Sequence, residues 1–209
     1  MISYAINVAR DSEVFDEIIV STDDSNIATI ATRLGARVPF VRPKEFSDDF
    51  SSTVDVIVHA IRECESLGWN LDSVCCIYPC VPFLTVEDLL TSLTKLSEHP
   101  DKFIFPVCRF SSPLQRALGL DAQGHCFSVF PEFSGTRTQD LPEYYFDTGQ
   151  FYIGNRDTWM RKESIHQFAH VFVIPSWRVV DIDTQEDWLR AEYLYQALLK
   201  LQNENSHTG

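Results

Sequence analysis

Basic residues are scarce in this chain: 17 Lys and Arg stand against 30 Asp and Glu, a formal charge of −13. Nucleic acid and anionic membrane both require a basic face, so neither is expected as the main partner. A small anionic substrate remains compatible, because a few local arginines, or a metal bridging it to carboxylates, meet its needs. No C-x-x-C pair occurs among Cys64, Cys75, Cys76, Cys80, Cys108 and Cys126, and no histidines stand at zinc-finger spacing. Most of these cysteines lie in apolar runs, which points to buried free thiols in a reducing cytoplasm rather than zinc or disulfides. No apolar run approaches the roughly 18 residues of a membrane span, and no secretory signal pattern opens the chain, so a cytoplasmic location is expected. Internal repeats, low-complexity tracts and an interdomain linker are also missing. What is present is 209 residues, 44% hydrophobic and 12% aromatic, enough for one substantial core. One domain over 1–202 is expected, with an inserted arm near 108–150 and a disordered tail over 203–209.

The front half alternates strand and helix signals. Ile2, Ala5, Ile6 and Ala9 are spaced for a helix, and Ile18-Ile19-Val20 reads as a short buried strand. Asp23 or Asp24 then caps a helix carrying Ile27, Ile30, Ala31 and Leu34, which stops at Gly35. Val38–Val41 gives a second short strand, followed by a loop with Glu45, Asp48 and Asp49, and Ser51-Ser52-Thr53 opens a helix with Val54, Ile57, Val58 and Ile61. Val74–Tyr78 is apolar on both faces, as in a central strand of a mostly parallel sheet. Glu87 and Asp88 lead a helix that buries Leu89, Leu90, Leu93 and Leu96, and Phe103–Val107 is another strand. This alternation predicts an α/β layered fold whose ligands gather at the carboxyl ends of the strands, bordered by loops 21–24, 42–53 and 78–84.

Helical periodicity is lost over 108–150. Leu118–Leu120 and Phe127–Phe130 flank Asp121-Ala122-Gln123-Gly124 as a hairpin, and Phe130, Phe133, Tyr144, Tyr145 and Phe146 suit either a substrate cover or a contact with a second subunit. Strands follow at Phe151–Ile153 and Val171–Ile174. A closing helix over 184–201 carries Trp188, Ala191, Leu194, Tyr195 and Leu198. His59, His99, His125 and His166 show no partner pattern and are expected to be structural or exposed.

Asp181 and Asp183 lie where Val179-Val180-Asp181-Ile182-Asp183 hands over to that helix. In an extended strand they share a face, and two adjacent carboxylates repel unless a cation such as Mg²⁺ sits between them. A second reading is equally open: Asp183 or Thr184 caps the helix, with Glu186 and Asp187 in its first turn.

Six blocks in order, FDEIIVSTDDSNIA (15–28), VPFVRPKEFSDDFSSTVDVI (38–57), CCIYPCVPFL (75–84), SSPLQRAL (111–118), TRTQDLPEYYFDTGQFYIG (136–154) and VVDIDTQEDW (179–188), cover nearly the whole length. With them the chain resembles the cytidylyltransferases that activate nine-carbon acidic sugars, among them the acylneuraminate enzymes, and most closely the pseudaminic acid branch. The resemblance implies a nucleotide-diphospho-sugar transferase-like, Rossmann-like three-layer α/β fold with a mixed, mainly parallel sheet and a small dimerisation arm. It implies transfer of CMP from CTP to a sugar acid (a nonulosonic acid, most closely pseudaminic acid), release of pyrophosphate, and Mg²⁺ as cofactor. A homodimer through the 108–150 arm is implied as well. Asp181 and Asp183 then match the family's metal-handling, catalytic pair, Arg42 an arginine of the nucleotide site, and Ser51, Ser52 and Thr53 the segment lining cytosine and ribose. Tyr78 stands where the sialic acid enzymes have glutamine. Gln115 and Arg116 fall at a sugar-contacting position, Arg137 matches an arginine that meets the sugar acid, and Asp147 and Gln150 belong to the DTGQF block that lines the sugar pocket.

The family pattern opens with a buried strand and an A-R-x-x-S-K-x-x-x-x-K-N loop whose amides and basic side chains hold the triphosphate. Met1–Tyr4 aligns with the helix after that loop, so about twenty residues of the pattern, a central strand included, are expected to lie outside this sequence. A late-assigned start, a removed upstream segment and a relative that no longer catalyses are the three readings of that alignment. Two other functions are weighed beside the transferase: a non-catalytic binder of a sugar acid or CMP-sugar, which retains sugar binding without turnover of CTP, and a metal-dependent Asp-x-Asp glycosyltransferase, which shows no pyrophosphate exchange.

Overall fold

The computed structural model describes residues 1–48 and 50–206, with side chains described to residue 200. The elements, in order, are α1 (Ile2–Asp11), α2 (Ser25–Arg33), α3 (Thr53–Ser66), β1 (Ser73–Ile77), α4 (Val86–Glu98), β2 (Phe103–Arg109), β3 (Leu118–Leu120), β4 (Cys126–Ser128), β5 (Tyr145–Asp147), β6 (Phe151–Asn155), α5 (Arg156–Met160), β7 (Ala169–Val173) and α6 (Gln185–Ser206). The helix starts follow local chemistry. Asp24 caps α2 through the N–H groups of Asn26 and Ile27, at 2.6 and 3.0 Å, and Ser52 caps α3 through Asp55 N–H. Thr85 and Asp88 close a reciprocal capping box on α4. Gly35, at φ +95°, ends the α2 segment in the left-handed conformation that costs a side-chain-free residue nothing.

β2 is the centre of the main sheet. It pairs antiparallel with β5 and β6 and parallel with β7, while β6 pairs antiparallel with β1. The two faces are covered separately, which makes three layers. Ile104, Phe151 and Ile153 pack with Ala5 of α1 and with Leu89 and Leu96 of α4. Phe103, Phe105, Val107 and Tyr152 pack with Ile61 of α3 and Trp159 of α5. The strict alternation along β2 and β6 fixes which face each residue meets. No helix among the described residues is long and apolar enough to cross a membrane.

Pro106 lies in the middle of β2 and contributes no N–H to the ladder. Opposite it the partner chain leaves the sheet. Six steps run from Asp147 to Ile153 against three from Val107 to Ile104, so three extra residues bulge out between β5 and β6. Gly149 takes φ +63° in that bulge, and the Thr148 hydroxyl donates to the Pro106 carbonyl at 3.1 Å. The bulge displays Asp147 at the sheet's rim.

Several sequence expectations need correction. The sheet is mixed, but among the described residues its parallel pairing is confined to β2–β7 and one isolated bridge, because the chain returns from the arm antiparallel. β1 is accordingly paired on one side only among the described residues. Ile18–Val20 and Val38–Val41 do not form strands. They shrink to the bridge Ile19–Arg37, held by Arg37 N–H to Ile18 O at 2.8 Å and Val20 N–H to Arg37 O at 2.9 Å, since Pro39 removes the next donor. Residues 179–183 likewise adopt no strand, having no neighbouring strand to pair with. On α4, Asp88 is buried and Leu90 exposed, the reverse of the apolar stripe expected there, because the capping box turns Asp88 inward. On α6, Ala191 is buried but Trp188 is 40% exposed. The helix extends past the expected end at 201. The expectation of a disordered tail reaches residues 207–209, which, like Asp49, lie outside the described residues.

Candidate functional site

The acidic stretch before α6 shows which residues cap that helix. Thr184 and Asp187 form the cap themselves: Thr184 N–H and its hydroxyl donate to Asp187 Oδ2 at 2.9 and 2.6 Å, and Asp187 N–H donates back to the Thr184 hydroxyl at 3.2 Å. Asp181 and Asp183 are left over, both exposed, with no hydrogen bond or ion pair among the described residues. Burial in the cleft, first, and then the nearby carboxylates of Asp183, Asp187 and Asp147 hold the Asp181 carboxyl above its ordinary range. Unspent oxygen donors under mutual repulsion suit a hard divalent cation. No group of three or more His, Cys, Asp or Glu is clustered for a metal among the described residues. Two carboxylates are within the number Mg²⁺ commonly takes from a protein, the rest of its shell coming from substrate phosphates and water.

Asp181 opens onto a cleft of roughly 890 Å³ between β5, the turn at 176–181 and the start of α6. Asp147, Thr148, Glu186, Asp187 and Arg190 line it as well. A chain of side-chain contacts links Asp147 to the start of α3. The hydroxyls of Thr53 and Tyr78 share a hydrogen bond of 2.5 Å, the Tyr78 ring stands edge-on to Tyr152 at 5.9 Å, and the Tyr152 hydroxyl donates to Asp147 Oδ2 at 2.7 Å. Burial raises both phenols, and the bond to Asp147 raises Tyr152 further, so these hydroxyls keep their protons.

A buried ion pair supports the acidic stretch from behind. Arg178 grips Asp88 with two guanidinium nitrogens, at 2.6 and 2.9 Å, and also donates to the Thr85 hydroxyl at 3.2 Å. The Arg178 carbonyl accepts from Gln150 Nε2 at 2.8 Å. Thus the start of α4, the β5–β6 bulge and the approach to Asp181 are joined at one residue.

The other candidates separate into two groups. Ser52 is spent on the α3 cap, Ser51 donates to Asp48 Oδ1 at 2.8 Å, and the half-buried Arg42 donates to the Ser47 hydroxyl at 3.1 Å. Capping and ligand contact are both open to these side chains. Gln115, in contrast, is 2% exposed and donates to the Pro142 carbonyl at 2.9 Å, so it lies inside the arm rather than at a sugar-contacting surface; the turn at 114–116 points it inward. Gln150 is buried too, with Oε1 unpartnered among the described residues. Arg116 donates to the carbonyls of Phe133 and Thr136, and Arg137 pairs with Asp140 at 2.9 Å, both within the arm. Neither arginine lines the cleft.

Sequence reasoning did not single out Arg178 and Arg190, and it read His166 as a structural or exposed residue without a partner. His166 Nε2 donates to Asp147 Oδ2 at 2.7 Å across 19 residues, a pairing with no periodic signature. For Arg190 a signal existed: it follows Asp187 by three residues, one helical turn along α6.

Comparison with known proteins identifies the family. A family profile described as Cytidylyltransferase matches residues 1–170. The chain is 36% identical over 197 residues to a pseudaminic acid cytidylyltransferase of Campylobacter jejuni subsp. jejuni serotype O:2, covering 94% of this chain and 85% of that protein. It is 26% identical to a CMP-N,N'-diacetyllegionaminic acid synthase of Legionella pneumophila, again over 94% and 85% of the two chains. Among solved structures, a CMP:2-keto-3-deoxy-manno-octonic acid synthetase complexed with CTP superposes with a TM-score of 0.64 at 15% identity, covering 93% of this chain and 88% of that one. A 4-diphosphocytidyl-2C-methyl-D-erythritol synthase of Anaerococcus prevotii gives 0.61 at 13% identity, with the same coverage. At such identities the structural likeness establishes the α/β fold.

Proposed function

The chain belongs to the cytidylyltransferase family, and we propose that it transfers CMP from CTP to a nine-carbon acidic sugar, pseudaminic acid before other such acids. The observation that carries this reading is the spare carboxylate of Asp181, which lines a cleft together with Asp147 and has the equally unbonded Asp183 close enough to repel it. The anomeric oxygen of the sugar forms a bond to the α-phosphorus of CTP in line with the α–β phosphoanhydride bond, which breaks to release pyrophosphate. Asp181 and Asp183 would hold Mg²⁺, which when bound offsets charge on the phosphates. Arg42 and the Ser51–Thr53 segment serve the nucleotide. Tyr78 and Asp147 serve the sugar, with Gln150 bracing the bulge behind them. Arg116 and Arg137 serve at a distance, through the arm. The free thiols fit a reducing cytoplasm.

Pyrophosphate release from CTP with Mg²⁺ tests the reading, run with pseudaminic acid and separately with N-acetylneuraminic acid. The expected result is turnover with pseudaminic acid at a kcat/KM at least about tenfold higher, the discrimination a single polar contact supplies. Equal rates would remove the pseudaminic preference, and silence with both sugars, from this chain and from a version carrying the family's upstream strand and phosphate loop, would remove the transferase reading.

A second copy belongs to the proposal. The hairpin of β3 and β4 exposes Leu118, Leu120, Phe127 and Val129, a set of apolar residues that a monomer leaves wet. Sedimentation should report a dimer, and Leu120→Glu together with Phe127→Glu should shift it to a single-copy mass. A wild-type mass of one copy would rule the dimer out.

A further inference from the structure

Apart from the spare pair, the most heavily anchored acid at the site is Asp147. Its Oδ1 accepts from Gly149 N–H at 2.9 Å, and its Oδ2 accepts from the Tyr152 hydroxyl and from His166 Nε2, each at 2.7 Å. A carboxylate offers about four lone-pair sites, so three are taken and one remains. The side chain is still 21% exposed at the cleft. Because an ionised carboxylate only accepts, this contact places the His166 proton on Nε2.

His166 is itself fixed. Its ring stands edge-on to Phe105 at 5.5 Å and 87°, and to Tyr152 at 6.4 Å and 89°. The chain segment that carries it also sends Lys162 to Asp55 Oδ1 at 2.7 Å, on the first turn of α3 beside the Ser52 cap. One connection between α5 and β7 thereby braces both the Ser52 loop and the Asp147 bulge.

We propose that His166 is a positioning residue that orients Asp147, and that Asp147 so held is a specificity-determining acceptor for one hydroxyl or amide N–H of the acidic sugar. The inference rests on the sugar-acid reading above and deepens it. A site built to receive a donor rejects an analogue without that donor, because its own carboxylate is then left short of a partner.

Two variants of the full chain separate this role from a merely structural one. His166→Phe keeps the edge-on ring packing and loses the donor, whereas His166→Gln keeps an N–H donor at similar reach. With His166→Phe, KM for the sugar should rise about tenfold while KM for CTP moves less than about twofold, and His166→Gln should recover the sugar KM to within about threefold. The thermal midpoint of both should stay within about 2 °C of wild type, since the side chain is largely solvated. If His166→Phe does not fold, His166→Ala carries the same expectation. An unmoved sugar KM, an equal rise for sugar and CTP, or a glutamine variant as impaired as phenylalanine would overturn the proposal while wild-type turnover preserves the transferase reading. No pyrophosphate release with any nine-carbon acid, from the wild-type chain or from a version carrying the family's upstream strand and phosphate loop, overturns both.

Discussion

Asp181→Asn and Asp183→Asn should each lower Mg²⁺-dependent pyrophosphate release by about 100-fold or more, the loss expected when several kcal/mol of charge stabilisation at the phosphates is removed. Both residues are exposed and make no bond within the described structure, so neither substitution should unfold the chain. Asp181→Asn carries a second expected outcome, in metal-free buffer. The Asp181 carboxyl lies above its ordinary value of 3.8, through burial first and neighbouring carboxylates second. A carboxyl raised on folding holds its proton more tightly in the native state than in the unfolded one. Its ionisation therefore costs native stability as pH climbs through the raised value, and the cost is fully present at neutral pH. Below the ordinary carboxylate range both states are protonated and the cost vanishes. Without Mg²⁺, Asp181→Asn should thus melt slightly higher than wild type at neutral pH and alongside it near the acid end of the carboxylate range. Unchanged turnover in either variant would refute the metal-handling role.

Arg178→Met should be the most destabilising single change near the site. It strands Asp88, whose side chain is 5% exposed, opposite an apolar group, and breaking a buried pair in this way costs about 3–5 kcal/mol. For a domain of this size that corresponds to a fall of about 10 °C in Tm. Turnover should fall as well, because the same residue links the start of α4, Gln150 and the approach to Asp181. Adding Asp88→Asn removes the stranded charge and should return part of the lost stability. A calorimetric midpoint for Arg178→Met within about 2 °C of wild type would show that the pair holds nothing together.

Short-range signals were legible because their causes are short-range. Asp24, Ser52 and the Leu118–Leu120 hairpin arm each express a turn or cap closed within a few residues, and the structure places each where residue chemistry puts it. Even the handover at Thr184 was visible as an alternative, although which oxygen capped the helix was decided by Asp187 one turn later. Strand propensity was a poorer guide. Ile18–Val20, Val38–Val41 and Val179–Asp183 all have branched residues, yet a strand exists only where a neighbour supplies donors and acceptors, and these segments find one bridge or none.

The site followed the same division. That Asp181 and Asp183 are acids beside a helix start is a property of the sequence, and so is the six-block resemblance that points to CMP transfer. The tertiary structure decided that those two carboxylates are unspent, that Gln115 is buried, and that His166 meets Asp147. It also decided that Arg178 meets Asp88 across 90 residues. Hydrogen bonds and ion pairs over such separations leave no period or local pattern to read, because they depend on where the sheet's register and its bulge at Pro106 deliver each side chain.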